Sequence, residues 1–217
     1  MSAIITEKFR QHNATQFFES FTEASKSTYY LFIGKATAYT TATTTGSDSS
    51  PPTPADAVGE TEYYAWDSML AAKNIASSDI TYALPRRNWT NGTTYDMYKH
   101  DISSSSTSTS GASNIYDSTF YFLTSDNRVY KVLDNNAGTA YSGSEPTSES
   151  TSPFELGGYV LKYMYSVTSA EAAKYLTTDF MPVSTDTTVS AAATDGKIES
   201  VSITAGSGYT NGTYYAA

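Results

Sequence analysis

The sequence predicts a mainly β, α+β fold: a β-sandwich-like core with a few peripheral helices and long Ser/Thr-rich loops. Three observations carry this expectation. Aromatic residues are plentiful, with 19 Tyr, 9 Phe and 2 Trp in 217 residues, and Tyr, Phe and Thr favour pleated, half-buried surfaces. Apolar residues gather in short runs of strand-like length that either alternate or stand unbroken. Between those runs the chain turns to Ser, Thr, Gly and Pro, and Ser with Thr makes up roughly three residues in ten.

From the N-terminus, residues 6–21 are expected to form a helix. Thr6 caps it, Glu7 lies at its positive end, and Phe9, Phe17 and Phe21 share a flank. Residues 27–34 (STYYLFIG) read as a strand whose nearly continuous apolar character calls for cover on both faces. Residues 36–59, with Pro51, Pro52 and Pro54, form a long connection. Residues 61–76 read as a second amphipathic helix, with Tyr63, Tyr64, Trp66 and Leu70 as its buried stripe. A strand over 80–83 then leads to Pro85.

The region 90–113 is polar, and its tract 103–110 (SSSSTSTS) reads as a low-complexity loop unable to pack a core. A hairpin follows, 118–124 against 128–133, turning through Ser125, Asp126 and Asn127. After a loop over 135–153, Gly157 and Gly158 open a strand over 159–167. Period-two alternation puts Tyr159, Leu161, Tyr163, Tyr165 and Val167 on one face of it. Thr168 and Glu171 form a capping box for a short helix through Leu176, which Met181-Pro182-Val183 ends. Beyond residue 184 the texture changes to a strand over 197–204 and a Gly/Tyr-rich tail. The expected organisation is therefore a β-rich domain over 1–183 and the start of a further region over 184–217, with the natural chain continuing past it.

Composition narrows the functional classes. Net charge is −9, so binding would gain no counterion release on nucleic acid, and anionic membranes are disfavoured. With no cysteine, disulfides and thiolate metal sites are excluded. The N-terminus places Glu7, Lys8 and Arg10 where a signal peptide needs an apolar core. Four Asn-x-Thr triplets, at Asn13, Asn88, Asn91 and Asn211, read as chance in a chain this rich in Thr.

No chemistry-bearing constellation stands out. His12 and His100 lack partners at metal-ligand spacing. There is no nucleophile elbow, phosphate loop or dinucleotide fingerprint. Glu145, Glu149 and Glu155 fall in loops that read as solvated. No catalytic residue, metal or cofactor is expected.

The candidate site is instead an interface. Arg86, Arg87 and Trp89 follow a strand-like run and Pro85, and Arg and Trp are enriched at protein–protein hot spots. Alternation would send the two arginines to opposite sides, one to an internal ion pair and one to a partner, with Trp89 returning to the side of Arg87.

Five blocks, in one order, resemble the dimeric baseplate-wedge protein of T-even-type contractile-tailed phages. They are residues 3–10 (AIITEKFR), 30–35 (YLFIGK), 85–89 (PRRNW), 128–134 (RVYKVLD) and 158–165 (GYVLKYMY). Asn88 stands where that family has an acid, and residues from 184 onward have no counterpart. The resemblance implies a β-rich virion subunit of the tail baseplate, a homodimer that contacts other wedge subunits, with no catalysis or cofactor. It would be made in the host cytoplasm. Two other classes compete with it: a receptor- or carbohydrate-binding tail module, which would need solvent-facing aromatics in a pocket, and a glycan-degrading enzyme, which would need two carboxylates across a groove.

Overall fold

In the computed structural model, residues 6–25, 27–34, 47, 49–50 and 66–198 are described. The chain divides into two units, 1–81 and 82–217.

In the first unit, α1 (Glu7–Glu19) starts where the cap was expected, with the Phe9 amide donating to Thr6 Oγ1 at 3.2 Å. Phe17, Phe21 and Tyr29 stack into a small aromatic cluster, Phe21 lying 4.6 Å from the Tyr29 ring. Phe21 is the one buried apolar side chain of this unit among the described residues, whereas Phe9 and Phe17 are exposed.

β1 (Tyr29–Gly34) pairs antiparallel with β2 (Met69–Ile75), from Tyr29 opposite Ile75 to Gly34 opposite Met69. Two expectations are corrected here. The helix read over 61–76 is a strand from Met69 onward, Trp66 and Asp67 are its helical positions among the described residues, and Trp66 and Leu70 are exposed rather than a buried stripe. Tyr63 and Tyr64 lie outside the described residues. The helical spacing of Trp66 and Leu70 is overridden because β1 supplies a ladder of backbone partners, and such pairing outweighs single-residue propensity. Nor is β1 covered on both faces, since everything after Tyr29 in it is exposed.

The second unit is built on a four-stranded antiparallel sheet in the order β4-β5-β7-β6. Its strands are β4 (Tyr121–Leu123), β5 (Arg128–Asp134), β6 (Phe154–Leu156) and β7 (Tyr159–Ser166). The β4–β5 hairpin is the expected one, shorter on its first arm, and Asn127 takes the positive φ (61°) that the turn requires. Both faces of this sheet are buried. Tyr95, Phe122, Tyr130, Val132, Tyr141, Tyr159, Leu161 and Tyr163 form one cluster. Tyr121, Leu123, Val129, Tyr165, Val167 and Met181 form the other.

The alternating stripe of β7 is buried at all five expected positions, but not on one face. Tyr163 opposes Tyr130 while Tyr165 opposes Val129, so Met164 is an extra residue on β7. Such a bulge switches the side chains that follow it to the other face. Tyr159, Leu161 and Tyr163 accordingly join the first cluster, and Tyr165 and Val167 the second.

The second cluster has a sandwich-like cover. β3 (Ala83–Pro85), shifted a few residues on from the strand expected over 80–83, pairs with β8 (Phe180–Pro182) and contributes Leu84 and Met181. α2 (Ser169–Tyr175) adds Ala172 and Leu176. Its capping box forms as read, with Glu171 N donating to Thr168 Oγ1 and Thr168 N to Glu171 Oε2. A third helix, α3 (Thr187–Ala192), capped by Asp186, was not foreseen. Beyond Ile198 the strand expected over 197–204 and the Gly/Tyr tail lie outside the described residues.

Among the described residues no second sheet covers the first cluster; coil segments carrying Trp89, Tyr95 and Tyr141 do, with Val189 of α3. Tyrosine hydroxyls fasten those segments. Tyr130 donates to Ser148 O at 2.8 Å, Tyr141 to Ser144 O at 3.0 Å, and Tyr159 to Thr139 O at 2.6 Å. Each ring fills the core while its hydroxyl satisfies a loop carbonyl, which phenylalanine cannot do. Gly157 is forced at the β6–β7 turn. Its φ is +63°, and a Cβ there would meet the Tyr141 ring at 2.7 Å.

Burial pushes the phenols of Tyr130 and Tyr141 up to about 12 from 10.0. The folded state therefore holds these protons more tightly than the unfolded chain. The stability this represents is complete below pH 10 and is lost as pH rises from 10 towards 12. Urea midpoints should be level from pH 7 to 9.5 and fall steeply above 10, with the phenolates of Tyr130 and Tyr141 forming only as the protein unfolds. Phenolate formation at Tyr130 and Tyr141 in a still-folded chain would contradict this.

Candidate functional site

The segment that carries Arg86, Arg87 and Trp89 runs from β3 alongside β4. The Leu123 amide donates to Arg87 O at 2.7 Å and the Trp89 amide to Leu123 O at 2.8 Å, so residues 87–89 bracket Leu123. From beneath, the Tyr121 hydroxyl donates to Pro85 O at 2.8 Å.

The two arginines diverge, as alternation required, and each is half-buried. Arg86 Nη1 donates to Thr177 O at 2.9 Å, and its backbone amide to Asp179 O. Arg86 Nε donates to Asn88 Oδ1 at 2.9 Å, so the amide at position 88 keeps the hydrogen bond without the charge. Arg87 Nη2 reaches the carbonyls of Tyr116 and Asp117 at 3.0 and 3.1 Å, and its guanidinium lies 5.5 Å from the Tyr121 ring centroid. Among the described residues neither arginine makes a salt bridge. Trp89 packs on the first core cluster, edge-on to Tyr141 at 5.9 Å and 89°. Its indole N–H is buried without an acceptor among the described residues.

Exposed apolar side chains border both arginines. Phe180 faces Pro85 across β3–β8, with Tyr82 and Val183 at the end of that ladder. Ile115 and Tyr116 stand beside the carbonyls that hold Arg87.

Sequence reasoning missed Asp96. Its carboxylate is fully buried and accepts four hydrogen bonds: from Ser110 N at 2.6 Å, Ser110 Oγ at 2.7 Å, Thr119 N at 2.8 Å and Ser118 Oγ at 2.9 Å. Burial alone would raise its pKa, but these donors outweigh burial and hold it at about 2, below the ordinary 3.8. The serine tract read as unable to pack is thereby tied to the sheet, and Ser108 is buried within it. Glu145 and Glu149, read as solvated, strap the following loop to the hairpin. Glu145 accepts from the Ser125 amide, and Glu149 pairs with Arg128 at 2.7 Å.

These carboxylates do structural work. Asp96, Glu171 and Asp186 all lie below their ordinary values, each held there by backbone amides and hydroxyls, the reverse of the raised value that marks a general acid. A cavity of about 490 Å³ lies between α3 and the β5–β7 face, floored by Leu133, Met164 and Tyr165. Its one aromatic, Tyr165, is buried, so it offers no stacking platform for a sugar. Among the described residues no group of three His, Asp or Glu is placed to hold a metal ion, and no helix is long and apolar enough to cross a membrane.

Residues 3–143 match the family model of bacteriophage T4 Gp8. The chain belongs to this family. Gp8 is a baseplate wedge protein, so this chain is a structural subunit of a T4-type tail baseplate, located in the virion tail and contacting other baseplate proteins. The Gp8 match contains four of the five blocks that carry the resemblance, including Arg86, Arg87 and Trp89, and stops before the fifth, on β7. No curated protein matches the chain.

Two outcomes follow for this Gp8-family chain. Trp89→Ala should cost about 3–4 kcal/mol through lost packing, whereas Trp89→Phe, which removes an unpaired N–H and keeps an aromatic edge, should cost under about 1.5 kcal/mol; urea denaturation compares them. Asp96→Asn should cost about 2 kcal/mol at pH 7. Because the folded carboxyl titrates below the unfolded one, that deficit should shrink as pH falls from 4 towards 2. A deficit independent of pH would assign the loss to packing instead.

Proposed function

We propose that the chain acts without catalysis, as a homodimeric wedge subunit that joins its neighbours through surfaces on both units during tail assembly of a contractile-tailed phage. In this reading it is synthesised in the host cytoplasm before entering the baseplate, residues 1–183 carry the wedge role, and 184–217 stand apart from it. The observation that carries it is the contrast between a closely packed sheet core in the second unit and the large apolar groups left outside. Large apolar side chains stand exposed on both units, among them Phe17, Leu31, Trp66, Tyr116 and Phe180, and such groups on a subunit of an assembly mark protein contacts.

Within this proposal, Arg86, Arg87 and Trp89 form one anchor with divided duties. Arg86, beside exposed Phe180, meets the neighbouring subunit; Arg87 presents Ile115 and Tyr116 by gripping their loop; Trp89 fixes the segment to the core. Arg86→Ala with Phe180→Ala should leave the chain folded and lower the melting temperature by about 2–6 °C, since the hydrogen bonds of Arg86 to Thr177 O and Asn88 Oδ1 are lost at about 1 kcal/mol each. The same variant should enter baseplate wedges at least tenfold less in a reconstitution with the other wedge proteins. Normal incorporation would remove this segment from the contact.

A further inference from the structure

The first unit leaves a strand pair without the cover that its composition demands. β1 reads Tyr-Tyr-Leu-Phe-Ile-Gly, the unbroken apolar run of a strand enclosed on both faces. Yet Tyr30, Leu31, Phe32 and Ile33 are 66, 62, 45 and 61% exposed, and Trp66 and Leu70 are similarly bare. A lone two-stranded ribbon is marginally stable in water. Only one buried apolar residue supports this unit among the described residues, against fifteen in the second. Among the described residues β1 pairs with β2 alone, and no strand of theirs takes its other edge.

We infer that the outer edge of β1 is where two copies of this chain meet, β1 pairing antiparallel with β1 of the second copy across a twofold axis near Leu31 and Phe32. This rests on the homodimer reading above and names its surface. Charge selects the occupant. In a chain of net charge −9, β1 carries no charged residue, and the one cation on β2, Lys73, is bound to Asp79 at 2.7 Å. Two copies can therefore approach here without the repulsion they meet elsewhere, and a basic partner finds nothing to recognise. β1 against β1 opposes only apolar side chains, whereas β2 against β2 would bring two lysines into one short ladder.

Geometry agrees with this, because an added strand would shield the β1 side chains Tyr30, Leu31, Phe32 and Ile33 where they flank the pairing edge. The result would be a four-stranded sheet, β2-β1-β1-β2, from an isologous contact. A long, flat, apolar edge is also the feature that a protein ordinarily blunts unless something pairs with it.

The absence of cysteine makes the test direct. Residues facing each other across an antiparallel pair have Cα atoms about 4.5–5.5 Å apart, within disulfide reach. Leu31→Cys and Phe32→Cys, each the sole cysteine of a full-length chain, are oxidised mildly beside Ser104→Cys, which lies in the second unit. Light scattering across concentrations gives the mass of the parent and of the double variant Leu31→Arg, Ile33→Arg. The expected result is a dimeric parent, linked dimers at position 31 or 32 but not 104, and a dimer at least tenfold weaker in the arginine variant. A dimeric parent with no link at 31 or 32 and an undisturbed arginine variant would leave the homodimer standing and reject this surface. A parent that is monomeric at every concentration would overturn both.

Discussion

The second unit is governed by the need to cover both faces of a sheet only four strands wide. Residues from all of β4, β5 and β7 point apolar groups both ways, so each face needs a lid, and a strand pair supplies only one. The other lid is mostly coil, and coil brings backbone carbonyls that must be satisfied wherever water is excluded. Tyrosine answers that need, its ring in the core and its hydroxyl on a carbonyl of Thr139, Ser144 or Ser148. Asp96 does the same with opposite polarity, collecting donors from the serine tract and from the approach to β4. The abundance of Tyr and Ser is thus one solution seen from its two ends.

Legibility in the sequence followed the range of the interaction. Thr6 as a cap, the Thr168–Glu171 box and the Asn127 turn are decided within four residues, and each was readable. Residues 69–75 were not, because their strand state depends on β1 some forty positions away, and the spacing of Trp66 and Leu70 gave a local signal that distant pairing overrode. The bulge at Met164 left no mark, since alternation continues unbroken through it and only the partner strand reveals the shift. Asp96 was equally silent: nothing local connects it with Ser110 or Ser118, and a tract of serines reads as solvated until a buried acceptor is found for it.

The candidate anchor was legible in kind and not in detail. Arg and Trp after Pro85 announced a demanding segment, and all three side chains are engaged. What the residue types could not show is that Arg86 and Arg87 spend their donors on carbonyls of residues 177, 116 and 117. Those contacts depend on where two distant loops return. The exposed neighbours, Phe180 and Tyr116, belong to the same returns, so the apolar surface beside the arginines is set by tertiary closure.

Strand order has a consequence for how the chain is made. β7 lies between β5 and β6 in the sheet, and Met181 on β8 completes the second cluster. A chain leaving the ribosome therefore displays the aromatic β4–β5 hairpin before β7 and β8 exist to complete its cover. Synthesis must proceed from Asp134 to beyond Pro182, on the order of a few seconds at about 5–20 residues per second. For that interval Tyr121, Leu123 and Val129 are sticky nascent surface. The stretch that trails the hairpin, 135–153, carries Glu145, Pro146 and Glu149, charged and proline residues of the kind that guard such strands against association.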